Sequence, residues 1–456
     1  MKRQDLTEGN LLSALCAFAI PFLLANILQS LYGAVDLFVV GKFCDARSVA
    51  AVSTGTQVTQ IVTSLSSGLT LGSTIVIGKY MGQKDHEMVK RAIGTTLTVF
   101  SGFALALTGL MLVFEAPLLR ILNTPWESFE LTMTYVAVCA WGNFFICGYN
   151  SISAILRGYG DSGRPMMFVA MACVLNIVLD FVLVRYADMG VAGTALATVI
   201  SQGISMAAAV LYLKRNAFVF DFRLSSFKVH RKLARELAQV GIPISFQELM
   251  VRISFLYLMT VMNSCGVFAA SVVGIGSKYD VFAMLTATSM ANALAAVTAQ
   301  NMGAGKPERA RKALWYSMSF AIGVSVLFWV WAQVSPETMI GAFTKDQEII
   351  GAGVPFFRSC SYDYIMVAMV FCLNGYLNGK AKTVWTMISC GGGALVLRIP
   401  MVYLFGKYFA DDLGMLGRIA PIVSGLMAAY TLLYVLYEGR KHGGSEKGTV
   451  PDRRGV

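Results

Sequence analysis

The chain has 456 residues, of which 56% are hydrophobic and only 14% charged, and its formal net charge is +11. A soluble domain carries about 25% charge, so this composition excludes a soluble globular protein. Apolar runs far longer than a barrel strand exclude a transmembrane barrel as well.

A helix crosses the bilayer core with roughly 20 apolar residues. The pattern predicts twelve such spans, at about 11–38, 51–78, 92–114, 131–156, 165–186, 191–213, 236–262, 267–298, 313–334, 354–377, 383–407 and 416–437. Ala92–Phe114, Ala313–Pro336 and Ile419–Tyr437 contain no Asp, Glu, Lys or Arg at all. Met1–Asn10 is short and mixed in charge, and no small-residue cleavage site closes the first apolar run, so no cleaved signal peptide is expected. Lys and Arg concentrate in the N-terminal segment, the loops after even-numbered spans and the C-terminal tail. That is the positive-inside pattern, and it predicts both termini in the cytoplasm. It also accounts for the positive net charge without nucleic acid. The nine cysteines are scattered without a CxxC and read as small packing residues. His86, His230 and His442 all fall in predicted cytoplasmic segments, so ion chemistry inside the membrane must rest on carboxylates.

Polar groups inside the spans carry the functional signal. Asp36 closes the uncharged run Leu11–Val35, and Asn176 and Asp180 lie four residues apart within the apolar run Met166–Val184. That spacing puts both on one helical face. An acid near the bilayer centre costs roughly 2.5–3.5 kcal/mol, and its usual use is to bind a proton or cation in transport. Helix-packing hydrogen bonds are the alternative. Gln29 and Tyr32 share a face with Asp36 and are candidate cavity-lining residues, as are Asn150 and Ser153 of the fourth span. In the second half Glu248 and Arg252, again four apart, form either an internal salt bridge or a polar patch facing substrate. Lys278, Asp280, Arg358 and Arg398 are further charges within predicted spans of that half.

The chain repeats itself at a spacing of about 221 residues. Ala19-Ile20-Pro21 matches Gly241-Ile242-Pro243, the segment from Met81-Gly82 to Arg91-Ala92 matches that from Met302-Gly303 to Lys312-Ala313, and Leu156-Arg157-Gly158 matches Leu377-Asn378-Gly379. Six spans per half keep both halves in the same orientation, so the repeat is parallel. The predicted organisation is a first lobe at 1–213, a basic cytoplasmic linker at 214–235, a second lobe at 236–437 and a cytoplasmic tail at 438–456. Two facing six-helix bundles suggest a transporter that works by rocking.

At this point the motifs resemble a known family. The Pro in the first span of each half, the stretch Thr298-Ala299-Gln300-Asn301-Met302-Gly303-Ala304-Gly305-Lys306 and Leu156-Arg157-Gly158-Tyr159-Gly160-Asp161 are similar to those of the MATE (multidrug and toxic compound extrusion) transporters, bacterial drug-efflux type. The resemblance covers about residues 10 to 440. It implies an all-α polytopic membrane protein, with twelve helices in two six-helix bundles related by pseudo-two-fold symmetry in a V shape. It also implies cation-driven export of organic cations and a cation site formed by Asp36, Asn176, Asp180 and Thr198. Where other branches place an acid in the tenth span, this chain has Met366, which favours the first lobe as the cation site.

Asp36 and Asp180 supply carboxylates, Asn176 a carbonyl and Thr198 a hydroxyl, all hard ligands suited to sodium. Two close carboxylates cannot both stay ionised without a cation, so the pair takes a proton or sodium. The expectation is therefore a secondary antiporter of a bacterial inner membrane, exchanging small organic cations for sodium or protons. A flippase for a lipid-linked precursor is the alternative, kept open by the membrane cations of the second half. No Walker motif and no catalytic constellation is present, so neither ATP hydrolysis nor an intramembrane enzyme is expected, nor any cofactor beyond the coupling ion. Membrane lipid is an expected partner; nucleic acid and an obligate protein partner are not.

Overall fold

The computed structural model describes residues 5–445 except 123, 217 and 411, so residues 446–456 of the predicted tail and the first four residues lie outside the described part. Among the described residues every regular element is a helix. The first nine are α1 Leu11–Phe43, α2 Ala46–Gly82, α3 His86–Ile121, α4 Trp126–Gly158, α5 Gly163–Asp180, α6 Gly190–Arg215, α7 Arg231–Ser264, α8 Val267–Gly303 and α9 Pro307–Val334. A short α10, Pro336–Gly341, precedes α11 Gln347–Cys360 and α12 Tyr362–Gly379. The chain ends in α13 Thr383–Thr386, α14 Ile399–Tyr408, α15 Leu413–Gly417 and α16 Ile419–Ser445. A π-helical turn, Phe181–Tyr186, extends α5, and two more, Met387–Gly392 and Ala394–Arg398, link α13 to α14.

Twelve stretches are long and apolar enough to cross a membrane, in agreement with the twelve predicted spans. The helices run beyond the predicted ends. α2 has 37 residues, about 55 Å at 1.5 Å per residue, against a hydrocarbon core of about 30 Å. Polar caps carry it past the apolar part: the Asp45 carboxylate accepts from the Ser48 N–H at 2.9 Å. Likewise Asp85 caps α3 by accepting from the Met88 N–H at 3.0 Å. The tenth span, Gln347–Gly379, runs through α11 and α12, with the single residue Ser361, itself in helical φ and ψ, between them.

The chain divides into two compact units. Unit 1 comprises Met1–Leu249, Asn292–Ala313 and Asn378–Val384; unit 2 comprises Met250–Ala291, Leu314–Leu377 and Trp385–Val456. In unit 1, Ile75, Ile77 and Tyr80 of α2 bury against Leu233, Leu237 and Val240 of α7 and against Ala295 and Ala299 of α8. The core of unit 2 gathers Met262, Val272, Phe356, Phe357, Tyr364 and Met427 around Tyr279. The Tyr279 ring meets Trp331, Phe343 and Phe357 edge-on at 5.6 to 5.9 Å, and its hydroxyl donates to the Met339 carbonyl at 2.8 Å.

The repeat is visible atom by atom inside unit 1. A side chain at Gly158 would strike the Thr74 carbonyl and Ile77, and one at Gly379 would strike the Ala295 carbonyl and Thr298. Each of these residues in the second half stands 221 positions after its counterpart, as 158 and 379 show. The turns repeat too. Lys84 and Gly305 both adopt positive φ (58° and 69°), as do Gly160 and Ala381 (97° and 58°).

Candidate functional site

Three elements of unit 1 build the site. α1 packs on α5, and α6 packs on both. The apolar faces that hold them together carry polar residues at the same level. Asp36 of α1 is 4% exposed, and Asn176 and Asp180 of α5 are fully buried. The i, i+4 spacing on α5 presents the last two to α1 together. The Asp36 carboxyl faces Asp180, Asn176 and Thr198, so the four residues that the resemblance assigns to a cation site are brought together.

Their hydrogen-bonding capacity is largely unused. Asp36 Oδ1, both Asp180 carboxylate oxygens, Asn176 Oδ1 and Nδ2, Thr198 Oγ1 and the Tyr32 hydroxyl are all buried without a hydrogen-bond partner among the described residues. Thr194 Oγ1, one turn before Thr198 on α6, is a further one. Buried polar atoms are paired in more than roughly 90% of cases. A cluster of orphaned atoms around two carboxylates is therefore an unusual concentration of unmet ligand capacity. The donors are oxygen-rich and hard, as a sodium ion or a proton requires. Among the described residues no group of three His, Cys, Asp or Glu side chains forms a transition-metal site.

Sequence reasoning missed part of the surround. Tyr135 and Cys139 of α4 also face Asp36, and both are buried. Their i, i+4 spacing was the available signal. The Tyr135 hydroxyl lies 3.4 Å from Thr56 Oγ1. Of the cavity candidates, Tyr32 joins the cluster, where its hydroxyl faces Ser201 and Thr198. Gln29 is exposed and stands outside the buried cluster. Asn150 is half-buried; Ser153 is buried beside Tyr149. Glu248 and Arg252 are both half-buried on α7 and both have interaction partners.

Unit 2 has its own polar cluster. Asp363, in the first turn of α12, is 5% exposed, and so is Arg398. Asp363 faces Ser424 and Arg398, and the half-buried Asp280 lies within charge range of both Asp363 and Arg398. The sequence reading weighed Met366 in this span and passed over Asp363, one turn earlier. Arg358, counted above among the membrane cations, is exposed instead. With Gln333, Tyr362, Arg418 and Ile422 it lines a surface cleft of about 400 Å³.

A chain of twelve membrane-crossing helices, built on a repeated six-helix unit with buried carboxylates between helices, is a membrane transporter by class. The MatE family model matches it twice, at residues 21–182 and 243–404, and the chain belongs to the MatE (MATE) family, a family of transporters and not of enzymes. The two matches start and end 222 positions apart (21 to 243, 182 to 404), within one residue of the spacing of the internal repeat. The chain is 27% identical to the probable multidrug resistance protein YpnP of Bacillus subtilis, over 90% of this chain and 92% of that protein. It is 23% identical to the multidrug export protein MepA of Staphylococcus aureus, over 93% of each. A solved structure of an outward-facing multidrug resistance MATE transporter has the same fold, with a TM-score of 0.88, 24% identity and coverage of 98% of this chain and 99% of that one.

Proposed function

We propose that this transporter is a secondary antiporter that exports small organic cations in exchange for sodium ions or protons, with Asp36, Asn176, Asp180 and Thr198 as the coupling site. The observation that carries the reading is the set of orphaned buried oxygens around Asp36 and Asp180. A cation entering there satisfies those oxygens and cancels the repulsion between two carboxylates. Its departure restores that repulsion, so occupancy biases how α1, α5 and α6 pack. Pro21 inside α1 removes one backbone hydrogen bond and gives that helix a place to bend. Tyr32 adds a ring and a hydroxyl beside the site, suited to a lipophilic cation.

The names of the relatives support a drug-like substrate, and the basic loops support a bacterial inner-membrane location with both termini in the cytoplasm. On this reading the transporter needs no cofactor besides its ion, and membrane lipid surrounds the outer faces of its helices. The test is ethidium efflux from proteoliposomes with sodium and proton gradients imposed separately, for wild type and Asp180→Asn. Efflux driven by one gradient and lost in the variant supports the reading and names the ion. Full gradient-driven efflux in Asp180→Asn overturns it.

A further inference from the structure

Two carboxylates also share a neighbour in unit 2, but that neighbour carries a charge of its own. Arg398 ends the π-helical turn Ala394–Arg398, immediately before α14. π-helical turns inside a helix are rare and recur at functional sites. The Arg398 guanidinium lies over the Phe255 ring, 4.5 Å from its centroid, and its Nε and Nη1 are buried without a hydrogen-bond partner among the described residues. Asp363 Oδ1, Ser424 Oγ and the Tyr364 hydroxyl are buried and orphaned in the same unit. Asp280 and Asp363 both lie within charge range of Arg398. No ion pair within 4.0 Å joins Arg398 to either acid among those the described residues form. The arginine thus balances two acids by proximity and is clamped by neither.

The repeat gives this arrangement a meaning. The repeat spacing of 221 to 222 residues places Arg398 at or next to the position of Asn176. It places Tyr257 or Leu258 at Asp36 and Met401 or Val402 at Asp180, so the second half carries no carboxylate at either position of the first-half site. Its acids come from elsewhere, Asp280 on α8 and Asp363 on α12. Each half therefore holds two carboxylates beside one polar residue, Asn176 in the first and Arg398 in the second. In the first half that residue is a neutral amide; in the second it is a permanent cation.

We infer that Arg398 is a tethered cation for the Asp280/Asp363 pair, standing in for the exchangeable ion of the first half, and that it confines exchangeable cation binding to the Asp36/Asp180 site. One exchangeable monovalent cation per chain follows. Removing the tethered charge converts the second acid pair into a second exchangeable site. The stoichiometry of one rests on the proposed coupling site; the gain of a site on removing Arg398 does not.

The experiment is equilibrium binding of radioactive sodium to the purified full chain in lipid nanodiscs, at saturating sodium and alkaline pH, so that protons compete little. The set is wild type, Asp180→Asn, Arg398→Met, Arg398→Lys and Arg398→Met/Asp363→Asn. The expected result is one equivalent in wild type and Arg398→Lys, none in Asp180→Asn, two in Arg398→Met and one again in the double variant. Arg398→Gln serves in place of Arg398→Met if the latter does not fold. A folded Arg398 variant that binds no sodium beyond the wild-type amount overturns the inference. Wild type that binds none, with one equivalent gained in Arg398→Met, upholds the inference and overturns the sodium reading of the first site alone.

Discussion

Gly82 and Gly303 hold equivalent places in the two halves and make the same contact in opposite directions. A Cβ on Gly82 would land on the Gln300 carbonyl oxygen, and a Cβ on Gly303 on the Lys79 carbonyl oxygen. Lys79 and Gln300 are themselves repeat partners, so α2 and α8 cross backbone on backbone about a local two-fold. Side chains tighten the same region of unit 1. The Gln300 amide donates to the Gly158 carbonyl at 2.9 Å, and the Asn301 amide donates to the Leu6 carbonyl at 3.1 Å. Gly82→Ala and Gly303→Ala each push rigid backbone apart and should cost about 1–3 kcal/mol, as overpacking does. Because one separation of the two helices relieves both clashes, the double variant should cost clearly less than the sum of the singles. Thermal midpoints of the three purified variants check this; strict additivity would mean that the two contacts open independently.

Much of this architecture was legible beforehand, for physical reasons that can be named. A bilayer demands about 20 apolar residues per helix, so the twelve spans stand out, and Asp36, Asn176 and Asp180 stand out against them. Hydropathy reports the thickness of the hydrocarbon and not the length of a helix, so the polar ends of α2 were cut short. The interruption at Ser361 leaves no mark because it is a single residue that keeps helical φ and ψ. Asp363 went unread because its meaning depends on Arg398, a residue far along the chain that only the fold brings near it. Tyr135 escaped for the same reason: its partner Asp36 is on another helix.

Ala381 holds a backbone conformation that its repeat partner Gly160 reaches without strain. Its φ of 58° costs an L side chain roughly 1–2 kcal/mol. Glycine removes that strain and loses somewhat more chain entropy on folding, so Ala381→Gly should stabilise the chain by about 0.5–1 kcal/mol. A rise in thermal midpoint with unchanged transport is the expected result. A fall would show that the alanine methyl group makes contacts worth more than the strain.

The linker carries a charge set that responds to acid. Asp221 accepts from Ser226 Oγ at 2.6 Å and from the Arg223 N–H at 3.4 Å, and it lies 4.0 Å from Lys90 Nζ. The Ser226 hydrogen bond, more than any other contact, holds its carboxyl below the usual carboxylate range. A group with a lowered folded pKa contributes stability above its unfolded pKa and loses it as pH falls through the folded value. The local fold around Leu224–Ser226 should therefore loosen only at strongly acid pH, and Asp221→Asn should already be loosened at neutral pH and lose that response. Protease cleavage of the linker as a function of pH, with an acid-active protease at the low end, reads both; identical profiles for variant and wild type would remove Asp221 from the account.

The orphaned oxygens at Asp36 and Asp180 predict a stability that depends on ions. A cation that binds only the folded site stabilises it by RT ln(1 + [L]/Kd), about 2.7 kcal/mol at a hundredfold excess over Kd. Replacing choline by sodium at constant ionic strength should raise the thermal midpoint of the wild-type protein. Asp180→Asn removes one of the two repelling carboxylates, so it should be at least as stable as wild type without sodium and gain nothing on its addition. Asp36→Asn should behave alike, since either substitution leaves one carboxylate, whereas Gln29→Ala, outside the buried cluster, should keep the full response. A sodium response that survives in both Asp36→Asn and Asp180→Asn would place the ion elsewhere. A wild-type midpoint indifferent to sodium but sensitive to pH would leave the proton as the coupling ion.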